Sequence, residues 1–104
     1  MIARVWAARA TPANAPAYAE HLRSDVIPGL RDIDGYQGAR LLQRQDGAEM
    51  EIVVVTWWRS LDAVHGFAGA EIGNAVVTDE AANLLSGYDE RVQHYELVLS
   101  DDAV

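Results

Sequence analysis

The chain has 104 residues, a length that fits one domain over 1–104 and leaves no room for a second. Eight Lys and Arg stand against sixteen Asp and Glu, for a net charge of −8, so phosphate backbones and anionic lipid are repelled and neither nucleic acid nor membrane is an expected partner. There is no cysteine, which removes disulfides, thiol catalysis and thiolate metal sites together. No apolar run approaches the ~18 residues of a membrane helix, and Arg4 and Arg9 interrupt any secretory core; the expected location is cytoplasmic.

Ile2 to Ala10 alternates, with Ile2, Arg4 and Trp6 on one side and Ala3, Val5 and Ala7 on the other, which predicts a strand. Thr11-Pro12 and Asn14-Ala15-Pro16 open a helix, whose apolar face is Ala15, Tyr18, Ala19, Leu22 and Val26. Pro28-Gly29 predicts its end or a kink. A strand follows over Tyr36–Arg44, a tight turn at Asp46-Gly47, and a second strand over Glu51–Trp58. Ile52-Val53-Val54-Val55-Thr56-Trp57-Trp58 is apolar at nearly every position, the pattern of a strand covered on both faces. Two helices can cover one face of a sheet; something else must cover the other.

Ser60 is an N-cap, and Leu61, Val64 and Phe67-Ala68 form the stripe of a helix ending near Gly69. Ile72, Val76 and Val77 continue an irregular or helical stretch, and Thr78-Asp79-Glu80 starts a further helix stopped by Ser86-Gly87. Arg91–Leu99 reads as the last strand, and Ser100–Val104 as a short frayed tail. The order βαββαβ predicts an α+β, ferredoxin-like domain, an antiparallel sheet with helices on one face.

The start Met1-Ile2-Ala3-Arg4-Val5-Trp6, the turn Asp34-Gly35-Tyr36, the segment Val55 to Ala63, Phe67-Ala68-Gly69 and the ending Val92-Gln93-His94-Tyr95-Glu96 together resemble the antibiotic biosynthesis monooxygenase-like group. That resemblance implies a dimeric α/β barrel, a homodimer packed sheet against sheet. It also implies a cofactor-independent monooxygenase-like protein that binds a small aromatic or polyketide-type molecule in an apolar pocket. The haem-degrading branch carries an Asn, a Trp and an iron-ligating His at positions that are Ala7, Phe67 and Val77 here. The quinone-oxidising branch carries an Asn and a Tyr where this chain has Val54 and Val64. Neither catalytic set is kept, and no cofactor is expected.

The candidate catalytic residues are therefore taken from the chain itself. His94 lies mid-strand and suits proton abstraction near neutral pH; Arg4, on the neighbouring strand, suits stabilisation of developing negative charge. Alternation predicts Arg4 opposite Glu96 and Trp6 opposite His94, and the bland counterpart is a structural polar cluster of Arg4, His94 and Glu96. Trp6, Ala7, His21, Trp58, Phe67 and Val77 are the candidate substrate-binding positions. His65, off the apolar stripe, is expected in solvent. The three histidines show no metal-ligand spacing, so no metal site is expected. The alternative function is a non-catalytic small-molecule-binding or structural dimeric module.

Overall fold

The structure, a computed structural model, describes residues 1–103. Five strands form one antiparallel sheet: β1 (Ile2–Ala10), β2 (Tyr36–Asp46), β3 (Glu49–Trp58), β4 (Gly87–Tyr88) and β5 (Gln93–Glu96). Their order is β2-β3-β1, with β4 and β5 both on the free edge of β1. The helices are α1 (Ala15–His21), α2 (Ile27–Leu30), α3 (Leu61–Ala68) and α4 (Asp79–Leu84). This is the ferredoxin-like arrangement with the helices on one face. No helix among the described residues is long and apolar enough to cross a membrane.

Local chemistry explains most boundaries. Pro16 occupies the first turn of α1, where its missing N–H costs nothing. The Ser60 hydroxyl accepts from Ala63 N at 3.2 Å and the Thr78 hydroxyl from Ala81 N at 3.1 Å, capping α3 and α4. Gly69, at φ +77°, closes α3. The β2–β3 hairpin turns through Gly47-Ala48, one residue later than Asp46-Gly47, because Asp46 still pairs with Glu49. Gly47 supplies the positive φ, +62°.

Pro28-Gly29, expected to end or kink the first helix, marks both an irregularity and its end: Leu22–Val26 widens into a π turn, with Ile27 N–H reaching Leu22 O, and α2 continues through Pro28 only as far as Leu30. A proline lacks the N–H that an α-helical ladder needs, and the chain absorbs that loss by widening the turn before it. The last strand is also broken. Residues 90–92 leave β1 to bond the loop after α3, with Ala75 N on Glu90 O and Val92 N on Gly73 O, both at 2.9 Å. Strand pairing therefore occurs only at Gly87–Tyr88 and Gln93–Glu96, and stops short of Leu99. Finally, Leu61 is exposed on α3 rather than part of its buried stripe. Residues 100–103 carry no regular structure; Val104 of the expected tail lies outside the described residues.

Alternation along β3 sends Ile52, Val54, Thr56 and Trp58 to the helix side, all buried, and Val53, Val55 and Trp57 to the other, only half-buried. The helix-side core falls into two clusters. One gathers Ala8, Tyr18, Leu22, Ile52 and Val54; the other gathers Leu30, Trp58, Ala63 and Val64.

Candidate functional site: a cavity between sheet and helices

Between the two core clusters lies a cavity of about 360 Å³. Most of its wall is apolar. Trp6, Tyr18 and Phe67 supply aromatic surface, and Arg4, His21 and Thr56 supply polar groups. Phe67 is backed by Trp58, whose ring stacks on it at 5.7 Å, and Trp58 is in turn anchored by its indole N–H on the Thr56 hydroxyl at 2.9 Å.

Arg4 is only 4% exposed. The broken last strand explains how it is held: the loop paired with residues 90–92 presents the carbonyls of Ile72 and Asn74, which accept from Arg4 Nη1 at 2.5 Å and Nη2 at 2.8 Å. Nη1 also lies 3.0 Å from His94 Nε2, and the guanidinium sits 5.5 Å from the centre of the Phe67 ring. Among the described residues no carboxylate pairs with Arg4. Burial lowers its pKa from the ordinary value, yet a guanidinium stays charged in proteins. Among the described residues the site thus holds a desolvated cation without a counter-ion.

His21 stands elsewhere in the wall, 8% exposed. Its Nδ1 is 3.0 Å from Asp25 Oδ2 and 3.8 Å from Glu80 Oε2. Its Nε2 is buried and has no hydrogen-bond partner. Tyr18 packs against it with ring centres 6.3 Å apart, and burial pushes the Tyr18 phenol up to about 12. Ligand-type atoms of His21, Asp25 and Glu80 lie within 4.8 Å of one another, with both carboxylates exposed.

The residues singled out from sequence are only partly gathered. Arg4, Trp6, His21 and Phe67 line the cavity. Trp58 lies behind Phe67, fully buried. Ala7 pairs with Val53 on the opposite face of the sheet, and Val77 packs against the first core cluster beside the lining residues Val76 and Thr78. His94 is outside the wall, behind Arg4. The expected register is corrected: Arg4 is opposite His94 and Ile2 opposite Glu96, a slip of two residues, so Glu96 is exposed and makes no bond to Arg4. His65 is exposed, with Nδ1 2.8 Å from Gly69 O. Sequence reasoning missed Asp25 and Glu80. The signal for Asp25 was its spacing of four from His21 on one helix face; nothing local marks Glu80, which arrives from α4.

A ferredoxin-like sheet carrying an aromatic-walled cavity with a buried cation defines the chain as an α+β protein of the ferredoxin-like fold with a candidate site between sheet and helices. Residues 1–75 match the family model for antibiotic biosynthesis monooxygenase, and the chain belongs to that family. Solved structures agree on the fold. A candidate antibiotic biosynthesis monooxygenase from Bacillus cereus superposes with a TM-score of 0.71 at 16% identity, covering 100% of this chain and 97% of that one. Another from Deinococcus radiodurans gives 0.63 at 16% identity, covering 100% and 99%. The haem degrader MhuD of Mycobacterium tuberculosis, solved with two haems in its active site, gives 0.61 at 22% identity, covering 98% and 100%. No match is found among curated proteins.

Proposed function

We propose that the cavity binds a small, flat, largely apolar molecule with an acidic oxygen, of the aromatic or polyketide type, and that the protein oxygenates it without a cofactor. The observation that carries this reading is Arg4, a buried cation in an apolar wall with no carboxylate partner among the described residues. An unpaired buried charge is costly, and a phenolate or enolate seated against it removes that cost while the aromatic rings cover its carbon skeleton. Holding the substrate as its anion favours direct reaction with dioxygen. A ring methylene becomes a carbonyl, one oxygen atom enters that carbon, and the other leaves with the two displaced hydrogens as water. The protein's share is orientation, charge stabilisation and exclusion of water. His94, bonded to Arg4 from behind, acts in this scheme by positioning the guanidinium.

Haem degradation fits less well. Of the three positions that carry that branch's residues, Ala7 faces away from the cavity, and Phe67 and Val77 hold no ligand atom. Binding without turnover is the second reading. It is favoured by the engagement of His94 Nε2 with Arg4, which leaves the sequence's candidate base outside the cavity wall.

The half-buried outer face of β3 supports a homodimer packed sheet against sheet, in keeping with its doubly apolar sequence. Titration of two-ring phenols and hydroquinones, with oxygen uptake recorded in parallel, tests the function. Saturable binding with oxygen consumption supports oxygenation, saturable binding alone supports the second reading, and no binding by any probe overturns both.

A further inference from the structure

The structure assigns a role to the His21–Asp25 pair: we propose that His21 is the general base of the cavity, taking the proton of a substrate hydroxyl on Nε2 while Asp25 holds the ring through Nδ1. This rests on the cavity being a ligand site, and it adds the proton acceptor that the arrangement around Arg4 lacks.

Three observations meet here. The ring belongs to the cavity wall. Its Nε2 is the one buried side-chain nitrogen or oxygen among the described residues with no hydrogen-bond partner. Buried polar groups in folded proteins are nearly always paired, so an orphan asks for a partner outside the chain. The other nitrogen is already committed: Asp25 Oδ2 accepts from Nδ1–H at 3.0 Å, and Glu80 Oε2 stands 3.8 Å away. A carboxylate on Nδ1 fixes the tautomer and leaves the Nε2 lone pair as the proton acceptor, the orienter–base logic of catalytic dyads.

The step is a balanced proton transfer. The substrate O–H bond breaks, its electron pair stays on oxygen, and the proton forms Nε2–H while Asp25 Oδ2 keeps the hydrogen bond from Nδ1–H. The titratable groups facing His21 are Asp25 on its own helical segment, Glu80 from α4 and Tyr18 from α1. Tyr18, with its phenol pushed up to about 12, remains protonated and does not compete for the proton. Asp25 sits in the π turn that precedes Pro28, so the irregularity forced by the proline falls at the residue orienting the base; π turns recur at functional sites.

The probe is 4-nitrophenol, whose phenolate is yellow, bound to the intact protein and followed by absorbance across pH. The bound probe is expected to ionise at lower pH in wild type than in His21→Gln, by about one unit, a tenfold change in the equilibrium. Asp25→Asn is expected to lose part of that difference. Nitrogen-15 NMR of the wild-type protein supplies a readout that needs no variant. His21 Nε2 should appear as the unprotonated nitrogen in the free protein and move toward the protonated range when 4-nitrophenol binds. Equal ionisation of the bound probe in wild type and His21→Gln, or a free His21 carrying its proton on Nε2, overturns the assignment to His21 and leaves the cavity reading intact. Failure of the probe to bind wild type overturns both.

Discussion

Arg4 and His94 face each other across β1 and β5, with His94 Nε2 3.0 Å from Arg4 Nη1. A guanidinium has no acceptor, so His94 must accept there and carry its proton on Nδ1. Burial first, and the charge of Arg4 second, hold the His94 pKa below its ordinary 6.5. In this depressed-pKa case the unfolded chain binds the proton more readily than the folded one. Stability attached to neutral His94 is therefore complete above the unfolded value, near 6.5, and is lost as pH falls from there through the lower folded value. Thermal melts of wild type should fall in this window, and His94→Gln, which keeps an acceptor for Arg4 but cannot titrate, should flatten that part of the profile. An unchanged slope would show that the ring does not couple to folding.

Arg4→Met keeps much of the side chain's length and removes its charge. The carbonyls of Ile72 and Asn74 then lose their donors, which should cost about 1–3 kcal/mol for each that stays unsatisfied. Binding of 2-naphthoate, measured by calorimetry, should weaken at least about tenfold, while neutral naphthalene is less affected. Arg4→Lys should keep attraction for the anion but loosen the loop, because one ammonium cannot span both carbonyls and His94. Equal naphthoate affinity in all three proteins would remove Arg4 from the ligand site.

The sheet, the caps and the faces of the strands were legible because each depends on local signals: alternation along β1 and β3, Ser60 and Thr78 before their helices, Gly69 after α3. The register of the last strand was not. A slip of two residues leaves every side chain on its own face, so Arg4, Trp6, His94 and Glu96 satisfy the same alternation whether Arg4 meets Glu96 or His94. The choice is made by residues 90–92, which bond to the loop at Gly73–Ala75. That contact joins distant parts of the chain and leaves no periodic mark. The cavity was legible only by composition. His21 and Asp25 share a helix face, but the approach of Glu80 and the missing counter-ion at Arg4 emerge from tertiary packing.

Gly35 offers a test of the turn before β2. Its φ is +92°, and a Cβ added there would run into the Cβ of Ala63. The Gly35 backbone cannot yield easily, since Arg59 N donates to Gly35 O at 2.8 Å. Gly35→Ala should therefore lower stability by about 1–3 kcal/mol from the backbone conformation alone, with the clash adding to it. In the double variant with Ala63→Gly the clash is gone and the strain remains, so denaturant melts should show partial rescue. Complete rescue would place the whole effect in the side-chain contact.

Val53, Val55 and Trp57 form the outward ridge of β3. If a second copy covers it, sedimentation should find twice the chain's mass at micromolar concentration. Val55→Asp should then shift the protein toward monomer while its far-ultraviolet circular dichroism is retained. A wild-type monomer at that concentration would leave the ridge uncovered in solution.

The cavity of about 360 Å³ lies between two packed clusters, and the residues of one continuous helical segment are divided across it, with Tyr18 and Leu22 on one side and Leu30 on the other. A ligand there is not simply a guest on a finished scaffold; it is the missing centre of the hydrophobic interior. Stabilisation by binding grows with the logarithm of free ligand over its dissociation constant, and here the added contacts would join two clusters that otherwise share the sheet and Val26. If the cavity takes such a ligand, the unliganded chain is the looser form, and the concentration of that small molecule sets how much of the population melts as one unit.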